Sequence, residues 1–192
     1  MAALSQPAHA SSLAPHFMLL ARYNVWATAR LLAALQLLDD QAYRRPVGLF
    51  FGSIHGTLNH LLVGEVLAWQ ARFAGVPQTT FALNSEAETD RQRLSQRLLE
   101  GAAAWPALIE KWPAAVWEGD LKFQRLDGEL CSLPFAGTLT HVFNHSTHHR
   151  GQITAALTAM GQPCPELDLV WMLRDEQLAM RDNSPPCQLS PT

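Results

Sequence analysis

Half of the chain's eight histidines fall within one nine-residue stretch, HVFNHSTHH, at His141, His145, His148 and His149. On an α-helix, side chains at i and i+4 share a face with their Cβ atoms about 5–6 Å apart. An HxxxH pair can therefore offer two imidazole nitrogens to one ion, at about 2.0–2.1 Å if the ion is zinc. Spacing does not choose the pair. With His141 at zero and about 100° per residue, His145 stands near about 40°, His148 near about −20° and His149 near about 80°. His141/His145 and His145/His149 are equally good pairs, and His145/His148 is a usable i,i+3 pair. A core role for all four would require a buried partner for each.

A third ligand has to come from another helix. His60, in GTLNHLLVGEVLAW, stands among Leu58, Leu61, Val63 and Leu67. A polar ring in such an apolar stripe must be hydrogen-bonded or metal-bound, and a core histidine bonded to a carbonyl or hydroxyl is the competing reading. Glu65 lies about 140° around the helix from His60 and forms no ligand pair with it. His55, nearer the helix start, and His9 and His16, near the N-terminus, read as surface or structural residues.

These residues need long helices to carry them. Residues 1–14, rich in Ala, Ser and Pro, read as a poorly ordered lead-in. From about His16 to Leu38 apolar residues recur at helical spacing, including Leu20, Leu31, Leu35 and Leu38; Asp39-Asp40 and Pro46 end the pattern. A second helix is expected from Ser53, as N-cap, to about Phe73, before Gly75 and Pro77. After the linker PQTTFALNSEAETD a third takes up near Glu86, with a kink at Pro106 and a stop before Pro113. In WEGDLKFQRLDGELCSL, Asp127-Gly128 separates alternating runs and signals a β-hairpin. A fourth helix is expected from Pro134 or Thr138 to Met160, ended by Gly161 and Pro163. A shorter fifth covers Glu166 to Met180. The tail, residues 182–192, reads as disordered. Four amphipathic helices of this length most simply form a bundle, giving one all-α domain over residues 15–181.

At 192 residues the chain can bury its own core. Against 17 acidic residues it sets 14 Lys and Arg, a net charge of −3, which argues against a nucleic-acid binder. Cys131, Cys164 and Cys187 form no CxxC and read as reduced thiols of a cytoplasmic protein. No secretory signal is visible. No apolar run approaches the ~20 residues of a membrane span.

The segments ARYNVWATARLLAAL, LNHLLVGEVLAW and HVFNHSTHHRGQITAALTAMG together resemble the DinB-like superfamily, small bacterial proteins of the DinB and YfiT type. The resemblance spans about residues 16–181 and keeps the motif order. It implies a four-helix bundle with up-down-down-up connectivity and a divalent-metal site formed by His60, His145 and His149. By the same resemblance His141 and His148 become supporting or structural residues, and a homodimer is plausible. Arg150 and Gln152 are read as structural, or as orienting ligands and pairing with an acid such as Asp168. Trp26 and Trp69 are read as core packing.

Three neutral imidazoles leave an ion its full charge and an open coordination position, the pattern of a catalytic site. The chemistry open to it is hydrolysis by an activated water or transfer of an activated thiol. Zinc is the expected ion and nickel the alternative. The resemblance implies a metal-dependent enzyme on a small-molecule substrate, a thiol S-transferase with a low-molecular-weight thiol as co-substrate. A hydrolase and a non-catalytic metal-binding stress-response protein are the alternatives. Glu65 and His148 are the candidate general bases.

Overall fold

A computed structural model describes residues 13–77, 81–125 and 127–182. Apart from residues 13, 14 and 182, the expected lead-in and tail lie outside them. Helix α1 (Ala14–Leu35) opens with a proline in its first turn, where the missing N–H costs nothing. Asp39 then caps a short α2 (Asp40–Arg44) by accepting from the Ala42 N–H. Sequence patterning omits α2 because its 5 residues are too few to show a period.

Ser53 caps α3 (Ile54–Leu61) by accepting from the Gly56 N–H at 3.0 Å. The helix passes without a break into a π-helical segment (Leu62–Gln70) and then α4 (Ala71–Ala74). The resulting rod, residues 54–74, ends at Gly75, whose φ of 68° suits the left-handed residue that closes a helix. Helix α5 (Arg91–Ile109) starts later than Glu86 because Asp90 caps it, accepting from the Arg93 N–H at 2.8 Å. It runs through Pro106 for a further turn.

A 3₁₀ turn (Ala114–Glu118) leads to the hairpin of β1 (Asp120–Gln124) and β2 (Leu130–Pro134), with Leu121 opposite Leu133. Gly128, at φ 90°, takes the turn that the Asp-Gly pair predicts. Helix α6 (Phe135–Ala159) follows, then α7 (Leu169–Asp182), which starts after the expected Glu166. No helix among the described residues is long and apolar enough to cross a membrane.

α1 packs on α5 and α6, and the 54–74 rod packs on the same two helices. Consecutive long helices therefore sit diagonally for the first and last connections. The core divides into two apolar clusters. One joins the C-terminal parts of α1 (Leu31, Leu35) and α6 (Ile153, Leu157) to the N-terminal parts of the rod (Ile54, Leu58) and α5 (Leu94, Leu98). The other joins the opposite ends, through Phe17, Phe73, Trp105 and Leu139. The chain accordingly runs up, down, down, up.

Between the two clusters lies a polar layer centred on Glu65. Its carboxylate accepts from Asn24 of α1 at 2.5 Å, from the Trp105 indole of α5 at 3.1 Å, and from the Ser146 hydroxyl of α6. Arg150, buried on α6, donates to Oδ1 of the Asn24 side chain and to the Thr147 hydroxyl. Replacing Glu65 with Leu strands the Asn24 and Trp105 donors, while the Ser146 hydroxyl can turn to the Val142 carbonyl, and removes the negative charge that faces buried Arg150. The expected loss in urea unfolding is about 3–5 kcal/mol; a loss below about 1 kcal/mol would refute the role given to this layer.

Candidate metal centre

His145 and His149 stand one turn apart on α6, and His60 faces them from the last turn of α3. The His145 Nε2 lies 3.0 Å from His60 Nε2 and 3.1 Å from His149 Nε2, and one ligand atom from each ring falls within 4.8 Å of the others. Nitrogens held by one ion at about 2.0–2.1 Å lie about 2.9 Å apart at right angles and about 3.3 Å apart at tetrahedral angles, so these separations suit a shared ion.

The outer nitrogens settle which atoms face inward. His60 Nδ1 lies 2.8 Å from the Leu83 carbonyl, which can only accept, so Nδ1 carries the proton and Nε2 keeps its lone pair. Likewise His149 Nδ1 donates to Gln152 Oε1 at 2.8 Å. The Gln152 amide donates in turn to His148 Nε2 at 3.1 Å. Such partners fix the tautomer and orientation of ligating histidines. A single N–H on His145 would serve one of the two inward lone pairs well but not both; a cation serves all three rings. Phe51 stacks on His60 with ring centroids 3.8 Å apart and bounds the cluster on that side.

Burial drives all three rings toward the neutral, ligating form. His145 is pushed down to about 3, by burial first and then by the charge of its neighbouring histidines. His149 falls to about 4, again chiefly through burial, partly offset by Gln152. His60 is lowered by burial against the opposing effect of its Leu83 bond.

His60 and His145 open onto a cavity of about 700 Å³. Its floor is the rod face carrying Gly64, Ala68 and Arg72; its walls are residues 81–83, the hairpin, and His141 of α6. Gly64 matters here: a Cβ added to it would stand 3.7 Å from His145 Cε1, so any longer side chain would intrude beside the histidines.

Other residues singled out by sequence fall in different places. Glu65 is buried in the polar layer and does not line the cavity. His148 is exposed and stands behind Gln152, away from the cavity. His141 lines the cavity, its ring 5.5 Å from those of Trp69 and His145. Trp69, read as core packing, does pack against the second apolar cluster, and its exposed side also forms cavity wall. Trp26 is half-buried and donates to Asp175 of α7. Arg150 joins Asn24 and Thr147, not Asp168, because its side chain points into the bundle. His55 is buried and bonded to Glu86, while His16 packs edge-on against Phe17. Cys131 is a half-buried free thiol on the cavity wall and Cys164 an exposed one; His9 and Cys187 lie outside the described residues. Leu83 and Phe51 carry no signal of their own, whereas Asn59, adjoining His60 in LNHLL, pins the wall loop by bonding both the N–H and the carbonyl of Glu88.

Fold and cluster together define a class: an up-down-down-up helical bundle with three histidines converging at one cavity. The chain belongs to the DinB family, whose model matches residues 9–182. It is 27% identical over 144 residues to Protein DinB of Bacillus subtilis (strain 168), covering 72% of this chain and 83% of that protein. Among solved structures it resembles YfiT from Bacillus subtilis with a TM-score of 0.61 and 17% identity, over 84% of this chain and 95% of that one. YfiT is described as a probable metal-dependent hydrolase with an unusual four-helix bundle topology. At that identity the likeness speaks for the fold.

Two outcomes are expected. With an unfolded-state histidine pKa of about 6.5 and folded values of about 3 and about 4 for His145 and His149, the unfolded chain binds more protons between those limits. Stability of the chelator-treated protein therefore falls as pH drops below about 6.5 and is unaffected by these groups above it. Urea midpoints from pH 7 to 5 should show this slope, and His145→Asn should flatten it; an unchanged slope contradicts the assignment. Separately, Gln152→Ala should weaken metal affinity about 10–100-fold, as loss of a ligand's supporting bond does, measured by competition with a chromogenic chelator.

Proposed function

We propose that this protein is a metal-dependent enzyme that holds one divalent ion on His60, His145 and His149 and activates a small nucleophile toward a substrate in the adjoining cavity. The observation that carries this reading is the convergence of three Nε2 atoms beside an open cavity, two of them oriented by Nδ1 bonds. Zinc is the first choice of ion for three imidazoles and nickel the second. When bound, it supplies a charge that brings the pKa of water toward about 7 or deprotonates a thiol outright.

The chain's own residues favour the thiol. Among the described residues lining the cavity, Asp127 is the only acidic one, and its carboxylate lies 3.6 Å from the Arg125 guanidinium. Glu65 has both oxygens engaged in the polar layer, and His148 faces Gln152. No carboxylate is thus placed to act as general base toward an attacking water, which leaves that role to His141 on the cavity wall, whereas a coordinated thiol needs no base. Trp69, Phe123 and Leu133 give the cavity an apolar wall suited to an organic substrate. Thiol S-transfer with a low-molecular-weight thiol is therefore the preferred chemistry. Hydrolysis is the second reading, supported by the description of YfiT.

The test is turnover of an electrophile with glutathione, bacillithiol or mycothiol, beside hydrolysis of an activated ester, in zinc-loaded, nickel-loaded and chelated protein. Conjugation that requires metal and disappears in His145→Ala is expected. Ester hydrolysis without thiol transfer would select the second reading. Absence of metal binding, or activity indifferent to chelation, would overturn both.

A further inference from the structure

We infer that His141 is the residue by which the cavity recognises its ligand, holding through a hydrogen bond an oxygen that lies a few bonds from the atom meeting the ion. The site accordingly takes an apolar molecule carrying a hydroxyl, ether or carbonyl oxygen. This assignment rests on the proposed reading of the histidine cluster.

Most polar groups on the cavity wall are already engaged. His60 and His145 turn their Nε2 atoms into the histidine cluster. Arg125 lies 3.6 Å from Asp127 and 3.5 Å from Glu129. Arg72 lies against the rings of Trp69 and Phe123. His141 differs: among the described residues neither of its ring nitrogens has a hydrogen-bond partner, and its ring contacts are with Trp69 and His145. It is exposed on the wall, so a ligand can reach it.

Its place on α6 sets what it can hold. His141 precedes His145 by one turn, which puts both side chains on one face with Cβ atoms about 5–6 Å apart. Their ring centres stand 5.5 Å apart. Trp69, edge-on at 5.5 Å and 68°, restricts the His141 ring, which leaves less freedom to lose on binding. The neighbouring imidazole decides the kind of group. The outer nitrogens of His60 and His149 bond Leu83 and Gln152, but Nδ1 of His145 has no partner among the described residues. A ligating histidine ordinarily gives that proton to an acceptor, and with Nε2 on an ion Nδ1 is a donor only. Two adjacent imidazoles with donors to satisfy suit an acceptor oxygen on the ligand. Trp69 touches His141 on one side and Phe123 on another, so the wall turns apolar directly beside this pair, where a carbon skeleton fits.

The test uses the full chain loaded with cobalt(II), whose absorption changes when a thiol joins the ion, so that affinity is read without turnover. Two pairs of equal length are titrated: 2-mercaptoethanol against 1-propanethiol, and 3-mercapto-1-propanol against 1-butanethiol. In at least one pair, the affinity of the hydroxythiol relative to its alkanethiol should fall about five-fold in His141→Phe, the worth of one neutral hydrogen bond. His141→Gln, which can still hydrogen-bond, should keep part of the preference, and should either variant fail to fold the other carries the comparison with the native protein. Cobalt affinity should be the same in all three proteins. A ratio unchanged in both pairs overturns the assignment, as does a spectrum that no thiol alters. A loss of cobalt affinity in His141→Phe as large as that in His145→Ala makes His141 a ligand and overturns it too. Failure of the histidine reading looks different: native protein then binds no cobalt, and the inference falls with it.

Discussion

The Glu65 carboxylate is the interaction on which the geometry depends. It sits on the second long helix and accepts hydrogen bonds from each of the other three, through Asn24, Trp105 and Ser146. Apolar clusters alone would tolerate small slips of one helix along another, because hydrophobic contact is non-directional. A buried carboxylate is less tolerant, since each displaced donor costs the desolvation of an unpaired polar group. The layer also neighbours the histidines in sequence on both sides. Ser146 follows His145, Arg150 follows His149, and Glu65 adjoins Gly64 of the cavity floor. Fixing Glu65 therefore fixes where His60 meets the HxxxH pair.

Chain direction supplies the rest of the site. Because the rod and α5 are parallel neighbours, the segment between them must travel back along the bundle before α5 can start. That return segment, pinned to Asn59 at Glu88, carries the Leu83 carbonyl that orients His60. In an up-down-up-down bundle a short turn would suffice and this wall would be missing. The connection from α5 to α6, by contrast, is diagonal, and its hairpin becomes the opposite wall, contributing Phe123, Cys131 and Leu133. Ligand orientation and cavity thus both follow from connectivity.

This division explains what the sequence discloses. The Ser53 cap, the Asp-Gly turn and the glycines after α4 and α6 act through local chemistry, and each stands where patterning puts it. The histidine stripe on α6 is equally local, yet four rings shared it, and only the family resemblance narrowed them to His145 and His149. The structure brings those two together with His60. Contacts set by tertiary placement leave no local mark: nothing in the residue type of Leu83 announces a carbonyl aimed at an imidazole, and Trp69 looks like any core tryptophan until the hairpin is in place. Glu65 misleads for a related reason. A carboxylate near a histidine motif suggests a base, but Glu65 faces into the bundle, where Asn24, Trp105 and Ser146 engage it.

The departures from ordinary helical construction gather in the same layer. A π segment replaces α-helix at Leu62–Gln70, a carboxylate and a guanidinium are buried at Glu65 and Arg150, and three imidazole lone pairs point at one another. Each costs stability alone, through poorer helix geometry, charge desolvation or repulsion. Locally inconsistent choices of this kind are expected where a site imposes them. Here they also compensate one another. The π turns keep the cavity stripe in line while turning Glu65 inward, where three donors and the nearby guanidinium offset the burial of its charge. The same polar layer holds α6 in the register that forces His145 against His60. A divalent ion at the proposed site would remove the last of these costs, the convergence of lone pairs.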